Sequence, residues 1–386
     1  MKSVEPRHFG GVSLRRMNRP DTVIIGGGLM GCGVAWRLAQ AGQRVHVVEK
    51  AVPGAEASSA AAGILGPQAE CDAPGPMLEL GLRSREMYRA FVEELLALTG
   101  IDVGHRASGL VHAAWTDDGA EKLRERAKWQ RDAKLRVELV DGRGAKELEP
   151  ALAEGVVAAL HMPDEALVDP RPLSRAVSQA ASKAGATLQP ANVKRVVLEG
   201  NRAIGVELAD GSRIDAGAVV MAAGAWSGLV PNAGDWAKAV VPARGQLVQF
   251  QVAPTLLSRV IFTERGYLVP RSDGRLLAGS TLEFVGFEKK VTAAGMRSVL
   301  DLALAAVPAL ADAPILESWA GFRPFTPDGM PLLGKSPIDG LFFATGHHRN
   351  GILLAPITAR LVADAVLRRD LDLDLMPFRP ERTQPA

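Results

Sequence analysis

The chain is poor in cysteine, in net charge and in long apolar runs, and each shortage excludes something. Its two cysteines, Cys32 and Cys71, are too few for a disulfide scaffold or a four-cysteine metal site. They fit a reducing, cytoplasmic setting. Lys and Arg number 45 against 43 Asp and Glu, leaving +2. That balance, with no basic run, argues against a nucleic-acid partner held by bulk charge. No apolar run approaches the ~18–20 residues of a membrane-spanning helix, so no membrane partner is expected. Residues 1–19 carry Lys2, Arg7, Arg15, Arg16 and Arg19 against Glu5, without the apolar core of a secretory signal. They are expected to form a flexible basic extension, or to precede a true start at Met17, in preference to an Arg-rich transit peptide. Internal repeats, low-complexity linkers, nucleophile–base pairs and metal-ligand clusters are also missing; no metal is expected.

What is present is glycine: 40 in 386 residues, above the usual ~7%. With 47% hydrophobic residues, the chain can build two packed domains. Thr22–Ile25 reads as a strand, Leu29–Ala41 as a helix closed by Gly42, and Arg44–Val48 as a second strand. Helical spacing is expected over Pro76–Thr99, Ala120–Arg131, Pro172–Ala184, Thr292–Ala305 and Pro356–Leu367. Strands are expected near Leu110–Ala114, Asn192–Leu198, Ala203–Leu208, Ala218–Ala222, Leu247–Gln251, Gly266–Pro270, Arg275–Ala278 and Gly340–Ala344. Strand–turn–helix grammar opens the chain and returns at its end. The fold class is therefore an α/β Rossmann-like domain assembled from separated segments, plus an α+β domain with an antiparallel sheet. The expected division is 20–95, 155–235 and 320–380 for nucleotide binding, and 96–154 and 236–319 for substrate.

The first turn, Gly26-Gly27-Gly28-Leu29-Met30-Gly31, is G-x-G-x-x-G between a strand and a helix. Gly26 permits the tight turn, Gly28 admits a pyrophosphate to the backbone, and Gly31 lets helix and strand pack closely. The helix N-terminus offers free N–H groups and the positive end of its dipole to the anion. Glu49 ends the second strand, where a carboxylate accepts hydrogen bonds from ribose hydroxyls and disfavours a 2′-phosphate. This unit does not distinguish NAD from FAD. Cys32, in the first helical turn, is expected to be a small packed residue.

Three further stretches carry a family resemblance. They are Ser58-Ser59-Ala60-Ala61-Ala62-Gly63-Ile64-Leu65, running on to Gln68-Ala69-Glu70-Cys71; Trp319-Ala320-Gly321-Phe322-Arg323-Pro324-Phe325-Thr326-Pro327-Asp328; and Gly346-His347-His348-Arg349-Asn350-Gly351-Ile352-Leu353-Leu354-Ala355-Pro356. In this order they resemble the signatures of the D-amino-acid oxidase family of FAD enzymes, and within it the bacterial glycine oxidases, over about residues 20–380. Asp21–Glu49 and Val220–Ser227 fit as well. The resemblance implies non-covalent FAD, held by Gly26, Gly28, Leu29, Met30, Gly31, Glu49, Lys50, Ser58, Ser59, Ala61, Ala62, Gly63, Val193, Ala223, Gly224, Trp226, Gly346, His348, Arg349, Asn350, Gly351, Ile352 and Leu353. The residues agree with it in kind. Small side chains at 60–63 let backbone pass close to a flat ring. The loop His347–Gly351 precedes the last helix, so its amides can face the flavin edge that becomes negative on reduction.

Arg323 is the leading substrate residue, because guanidinium and carboxylate pair in bidentate fashion. Tyr267, in Gly266-Tyr267-Leu268-Val269-Pro270-Arg271, is the second donor to that carboxylate. Arg349, Ile64, Leu282 and Arg265 complete the expected pocket. The family carries His at the position of Arg265, and Met at those of Leu282 and Ile64. Arg265 places a permanent charge where the mouth is expected, or points to solvent. No acid–base side chain is required. The resemblance implies hydride transfer from a neutral amine to flavin N5, then hydrolysis to a 2-oxo acid and ammonia. Reoxidation by oxygen gives hydrogen peroxide. Glycine, giving glyoxylate, is the expected substrate, with sarcosine and small D-amino acids beside it. A link to thiamine thiazole synthesis and a homo-oligomeric, tetrameric state follow by family analogy. The alternative is a D-amino-acid dehydrogenase that passes electrons to a quinone or carrier.

Overall fold

The computed structural model describes residues 19–383. The expected N-terminal extension lies outside them, apart from Arg19. Strand β1 (Thr22–Ile25), helix α1 (Leu29–Gln40) and strand β2 (Val45–Glu49) form the opening βαβ unit. Helix α1 ends because Ala41 is followed by Gly42 at φ +83°, a conformation that costs glycine little. β1 is central in a six-stranded sheet. Its order is Leu332–Lys335, Leu341–Thr345, Ala218–Met221, β1, β2, Thr187–Pro190. All neighbours are parallel except the edge strand Leu332–Lys335. The central strands β1, Ala218–Met221 and Leu341–Thr345 are buried at every position, as strands covered on both faces must be, whereas the edge strand Thr187–Pro190 is partly exposed.

One face is covered by α1 and the helices Pro76–Thr99, Pro170–Lys183 and Ala355–Val366, which share one apolar cluster. Val34, Trp36 and Leu38 of α1 are fully buried there, each side chain contributing about 1.5–3 kcal/mol of apolar burial. The other face is covered by a three-stranded antiparallel sheet, Arg213–Asp215, Arg202–Leu208 and Val193–Glu199. A sheet between a helical layer and a small antiparallel layer is the expected FAD-binding architecture.

The second sheet has eight strands in the order Ile315–Phe325, Val241–Gln251, Arg275–Gly279, Gly266–Pro270, Val260–Thr263, Leu110–Ala114, Ala158–Met162, Glu138–Asp141. Only Val260–Thr263 and Leu110–Ala114 run parallel. Successive residues alternate between two cores, as a pleated strand requires. Leu268, Ala278 and Val248 pack beneath helix Ala293–Ala306, whereas Tyr267, Leu277 and Leu247 turn the other way. This alternation delivers Tyr267 to the site described below.

Helix and strand positions depart from the sequence expectation at their ends. The helix expected at 120–131 begins at Asp117, because the Thr116 hydroxyl accepts from Gly119 N at 3.0 Å and two aspartates occupy its first turn. The helix expected at 172 begins at Pro170, capped by Asp169. The domain boundary expected at 155 needs correction. Ala158–Met162 pairs with Leu110–Ala114 and Glu138–Asp141 in the eight-stranded sheet, not with the nucleotide-binding segments. It is short and buried at every position, so it lacks the alternation by which a strand is recognised. Among the described residues, no helix is long and apolar enough to cross a membrane.

Candidate functional site

A single cleft of about 560 Å³ runs from the β1–α1 turn to the cleft face of the eight-stranded sheet. At one end lie Gly26, Gly28, Leu29 and Met30. The first ladder bond of α1 is Cys32 N to Gly28 O at 2.9 Å, so the preceding amides point out of the helix. Leu29 N donates to Ser58 Oγ at 3.1 Å, which places that hydroxyl at the helix end. Gly31 does not line the cleft. A Cβ there would stand 1.9 Å from Gly26 O, so its hydrogen is what lets the helix meet the turn.

The Glu49 carboxylate accepts from Gly27 N at 2.7 Å and Ala51 N at 3.0 Å and borders the cleft. Lys50 lies beside it with Nζ 3.5 Å from the centre of the Trp226 ring, and burial holds its amine below the usual lysine range. Trp226 in turn stacks on Phe287 at 5.3 Å. Val193, Ala223 and Gly224 complete this half. Gly224 is tied down by Thr345 and Ser227, whose hydroxyls lie 2.9 Å apart and both reach its carbonyl.

The small-residue stretch Ala61–Gly63 forms the middle of the wall. Its shape is imposed from outside. Trp319 Nε1 donates to Ala60 O at 3.0 Å, Arg271 Nη2 to Ala62 O at 2.5 Å, and Val168 N to Gly63 O at 2.9 Å. With these carbonyls engaged behind the wall, backbone rather than side chain faces the cleft. Gly63 has φ +84° and a Cβ there would lie 2.0 Å from Val168 O, so no other residue fits. Arg271 is buried, and burial pushes its guanidinium down to about 10.

The far end gathers Ile64, Glu70, Leu247, Tyr267, Arg323, His348, Arg349, Gly351 and Ile352. The Arg323 guanidinium lies flat over Gly245, where a Cβ would meet Nη1 at 2.4 Å. It donates to Thr281 O at 3.1 Å and Ser280 Oγ at 2.5 Å. Tyr267 donates to the same Ser280 Oγ at 3.2 Å, so the two expected substrate residues converge on one oxygen. Among the described residues, no carboxylate pairs with Arg323. Arg349 differs: its Nε lies 3.1 Å from Glu70 Oε2. His348 packs edge-on against Phe325 at 4.9 Å. Burial, with Arg323 and Arg349 nearby, lowers its imidazole to about 4, and its buried Nε2 has no partner among the described residues. His347 is buried, with Nε2 3.0 Å from Thr358 Oγ1, and burial lowers it to about 3.

Besides Gly31, six expected residues lie outside the cleft. Ser59 turns away to donate to Gly54 O, and Leu353 packs into the helical core. Gly346 is pressed against Thr326 and Leu332, and Asn350 lies in the loop without bordering the cleft. Arg265 is exposed at the hairpin between Val260–Thr263 and Gly266–Pro270, where Thr263 Oγ1 holds its amide at 3.1 Å. Leu282 is 52% exposed and outside the cleft. Both follow a strand end by only two or three residues, where sequence spacing does not reveal the direction of the turn. Conversely, the site contains Ser280 and Glu70, to which the sequence pattern assigns no role. Ser280 is placed by register alone, directly after Gly279, which pairs with Tyr267. Cys32 is buried, and burial pushes its thiol up to about 12.

The cradle fits a dinucleotide carrying a flat ring: the N-terminus of α1, the Glu49 carboxylate beside it, a small-residue wall and a cationic far end. The comparisons with known proteins agree. The family model described as FAD dependent oxidoreductase matches residues 21–365. The glycine oxidase of Geobacillus kaustophilus (strain HTA426) is 38% identical over 364 residues, covering 94% of this chain and 96% of that protein. The bifunctional protein ThiO/ThiG of Synechocystis sp. (strain ATCC 27184 / PCC 6803 / Kazusa) is 36% identical over 369 residues, covering 94% of this chain and 54% of that protein. The crystal structure of glycine oxidase from Geobacillus kaustophilus superposes with a TM-score of 0.90 at 36% identity, covering 95% of this chain and 100% of that one.

Proposed function

The chain belongs to the DAO family of FAD-dependent oxidoreductases, and from that premise we propose that it oxidises glycine and related small amines. Sarcosine and small D-amino acids are the related substrates. The products are the 2-oxo acid (glyoxylate from glycine), ammonia and hydrogen peroxide. The observation that carries this reading is Arg323, a guanidinium in the cleft with no carboxylate partner among the described residues and with Tyr267 aimed at the same point. A charge so placed needs an anion, and a substrate carboxylate supplies one.

Non-covalent FAD would be held by the amides around Gly28–Met30 with Ser58, by Glu49 at the ribose, by Val193 at the adenine and by Ala223 and Gly224 beside them. The Ala61–Gly63 wall and the 347–352 loop would hold its ring. The chemistry such a group would supply when bound is hydride acceptance and electron transfer to oxygen. The protein's own contribution is placement. Arg323 and Tyr267 fix the carboxylate, while Ile64 and Leu247 present apolar walls that exclude water and orient the Cα–H. His348, neutral near pH 7 because its imidazole is lowered to about 4, adds no competing charge. The nucleotide-binding part is built on the six-stranded sheet and the substrate part on the eight-stranded sheet. A cytoplasmic homotetramer supplying thiazole formation for thiamine is the setting supported by the family and by the ThiO/ThiG likeness.

Adding glycine to the yellow protein under nitrogen is the decisive test. Bleaching, followed by peroxide on admitting air, is expected. Bleaching without peroxide would favour the dehydrogenase reading with a quinone or carrier acceptor. A flavin that stays yellow with glycine, sarcosine and D-alanine would overturn the assignment.

A further inference from the structure

The far end of the cleft holds two guanidinium groups and one carboxylate. Arg323 has no acidic partner among the described residues, whereas Arg349 is paired with Glu70 at 3.1 Å. Both arginines and Glu70 border the same cavity. His348 borders the same cavity, close enough to both cations for its imidazole to feel them. The Glu70 side chain is only 11% exposed, while the Arg349 side chain that meets it is 45% exposed, so the pair stands at the rim of the cavity with its carboxylate turned inward.

Glu70 is also held in place. It ends the helical turn Pro67–Glu70, and its own amide donates to Gly66 O at 3.0 Å. From the helix Asp117–Asp132, Arg126 Nη1 donates to the carbonyls of Gln68, Ala69 and Cys71 at 3.0, 3.1 and 2.7 Å. Gln68 N donates to the buried Glu165 at 3.0 Å. These bonds fix the backbone from which the Glu70 carboxylate reaches Arg349.

We propose that Glu70 is a specificity-determining residue: by occupying Arg349 it leaves one open carboxylate site, at Arg323, and restricts the cleft to amines bearing a single carboxylate. The inference rests on the reading of Arg323 as the substrate-carboxylate site. It assigns the exclusion of dicarboxylic amines, such as iminodiacetate or D-aspartate, to the Glu70–Arg349 pair. Glu70 repels their second carboxylate and withholds the cation that would receive it.

The test uses non-reacting anions, so that it does not depend on turnover. Acetate and malonate are titrated into the FAD-loaded protein, and binding is read from the flavin absorbance. In Glu70→Gln the preference for malonate over acetate should rise about tenfold, the size of one charge-assisted hydrogen bond at a partly exposed site. The gain should vanish in Glu70→Gln/Arg349→Leu, which removes the freed cation. If Glu70→Gln does not retain flavin, Arg349→Leu alone serves. It leaves Glu70 unpaired and should lower the malonate preference by about tenfold. An unchanged preference in a flavin-loaded variant overturns the inference. Failure of the wild-type flavin to bleach with glycine instead tells against the proposed function and leaves the anion result standing.

Discussion

Two arginines twenty-six positions apart show how little a residue type says before its neighbours are known. Arg323 lies against Gly245, which has no side chain to push it away, and its donors meet Ser280 and Thr281 rather than an acid. Arg349 follows a histidine in αL conformation and is neutralised by Glu70. The sequence places both in the expected pocket, and the structure leaves Arg323 without an acidic partner among the described residues while Arg349 has one. Arg323→Ala is therefore expected to reduce kcat/KM for glycine by about a hundredfold or more, from loss of about 3 kcal/mol of charge-assisted hydrogen bonding. Flavin content should stay near the wild-type level, because Arg323 meets the substrate end of the cleft. Steady-state oxygen consumption together with the flavin-to-protein absorbance ratio checks both halves.

At the scale of elements, the site is a junction. The βαβ turn supplies the amides, the stretch 60–63 supplies the wall, and the eight-stranded sheet supplies both the clamps on that wall and the substrate donors. Trp319, in the strand Ile315–Phe325, and Arg271, directly after the strand Gly266–Pro270, reach across to carbonyls of the wall. The wall is thus tied to the eight-stranded sheet by hydrogen bonds at the cleft itself. The turn is equally unforgiving. A methyl group at Gly31 would need to displace Gly26 O, only 1.9 Å from its ideal position. Gly31→Ala should destabilise the fold by about 1–3 kcal/mol, as overpacking does, and should yield protein with less bound flavin. Thermal unfolding and the absorbance ratio after purification test this; a fully loaded, equally stable variant would count against the close-packing role.

For the whole molecule, a cleft of about 560 Å³ bordered by both sheets means that the cofactor belongs to the stability of the fold. A ligand that binds only the folded state stabilises it by RT ln(1 + [L]/Kd), about 2.7 kcal/mol at a hundredfold excess over Kd. Protein stripped of flavin should melt lower than the loaded form, and its Tm should climb with the logarithm of added FAD. A Tm indifferent to FAD would mean that the cradle is not the FAD site. Among the described residues, the apolar side chains of the loop 282–291 remain exposed beside this cleft, Phe284 at 59% and Phe287 at 39%, although each ring is packed on one side.

Local pattern was enough for the opening unit. The turn glycines, the acid ending β2 and the helix behind them depend on contacts within about thirty residues, so their spacing carries their geometry. The long motifs at 58–65, 319–328 and 346–356 identified the cofactor class before any contact was known, and with it most of the residues that border the cleft. Direction and partnership were beyond reach. Whether Ser58 or Ser59 faces the helix end, whether Arg265 and Leu282 enter the pocket, and which arginine stays free depend on how strands from distant parts of the chain are registered. Ser280 meets Tyr267 because Gly279 pairs with it, and Glu70 meets Arg349 across nearly 280 residues. Sequence fixes which chemistry the chain can present, since residue type and short-range spacing are written in it. Only the packing of two sheets decides which charges cancel and which remain for a ligand.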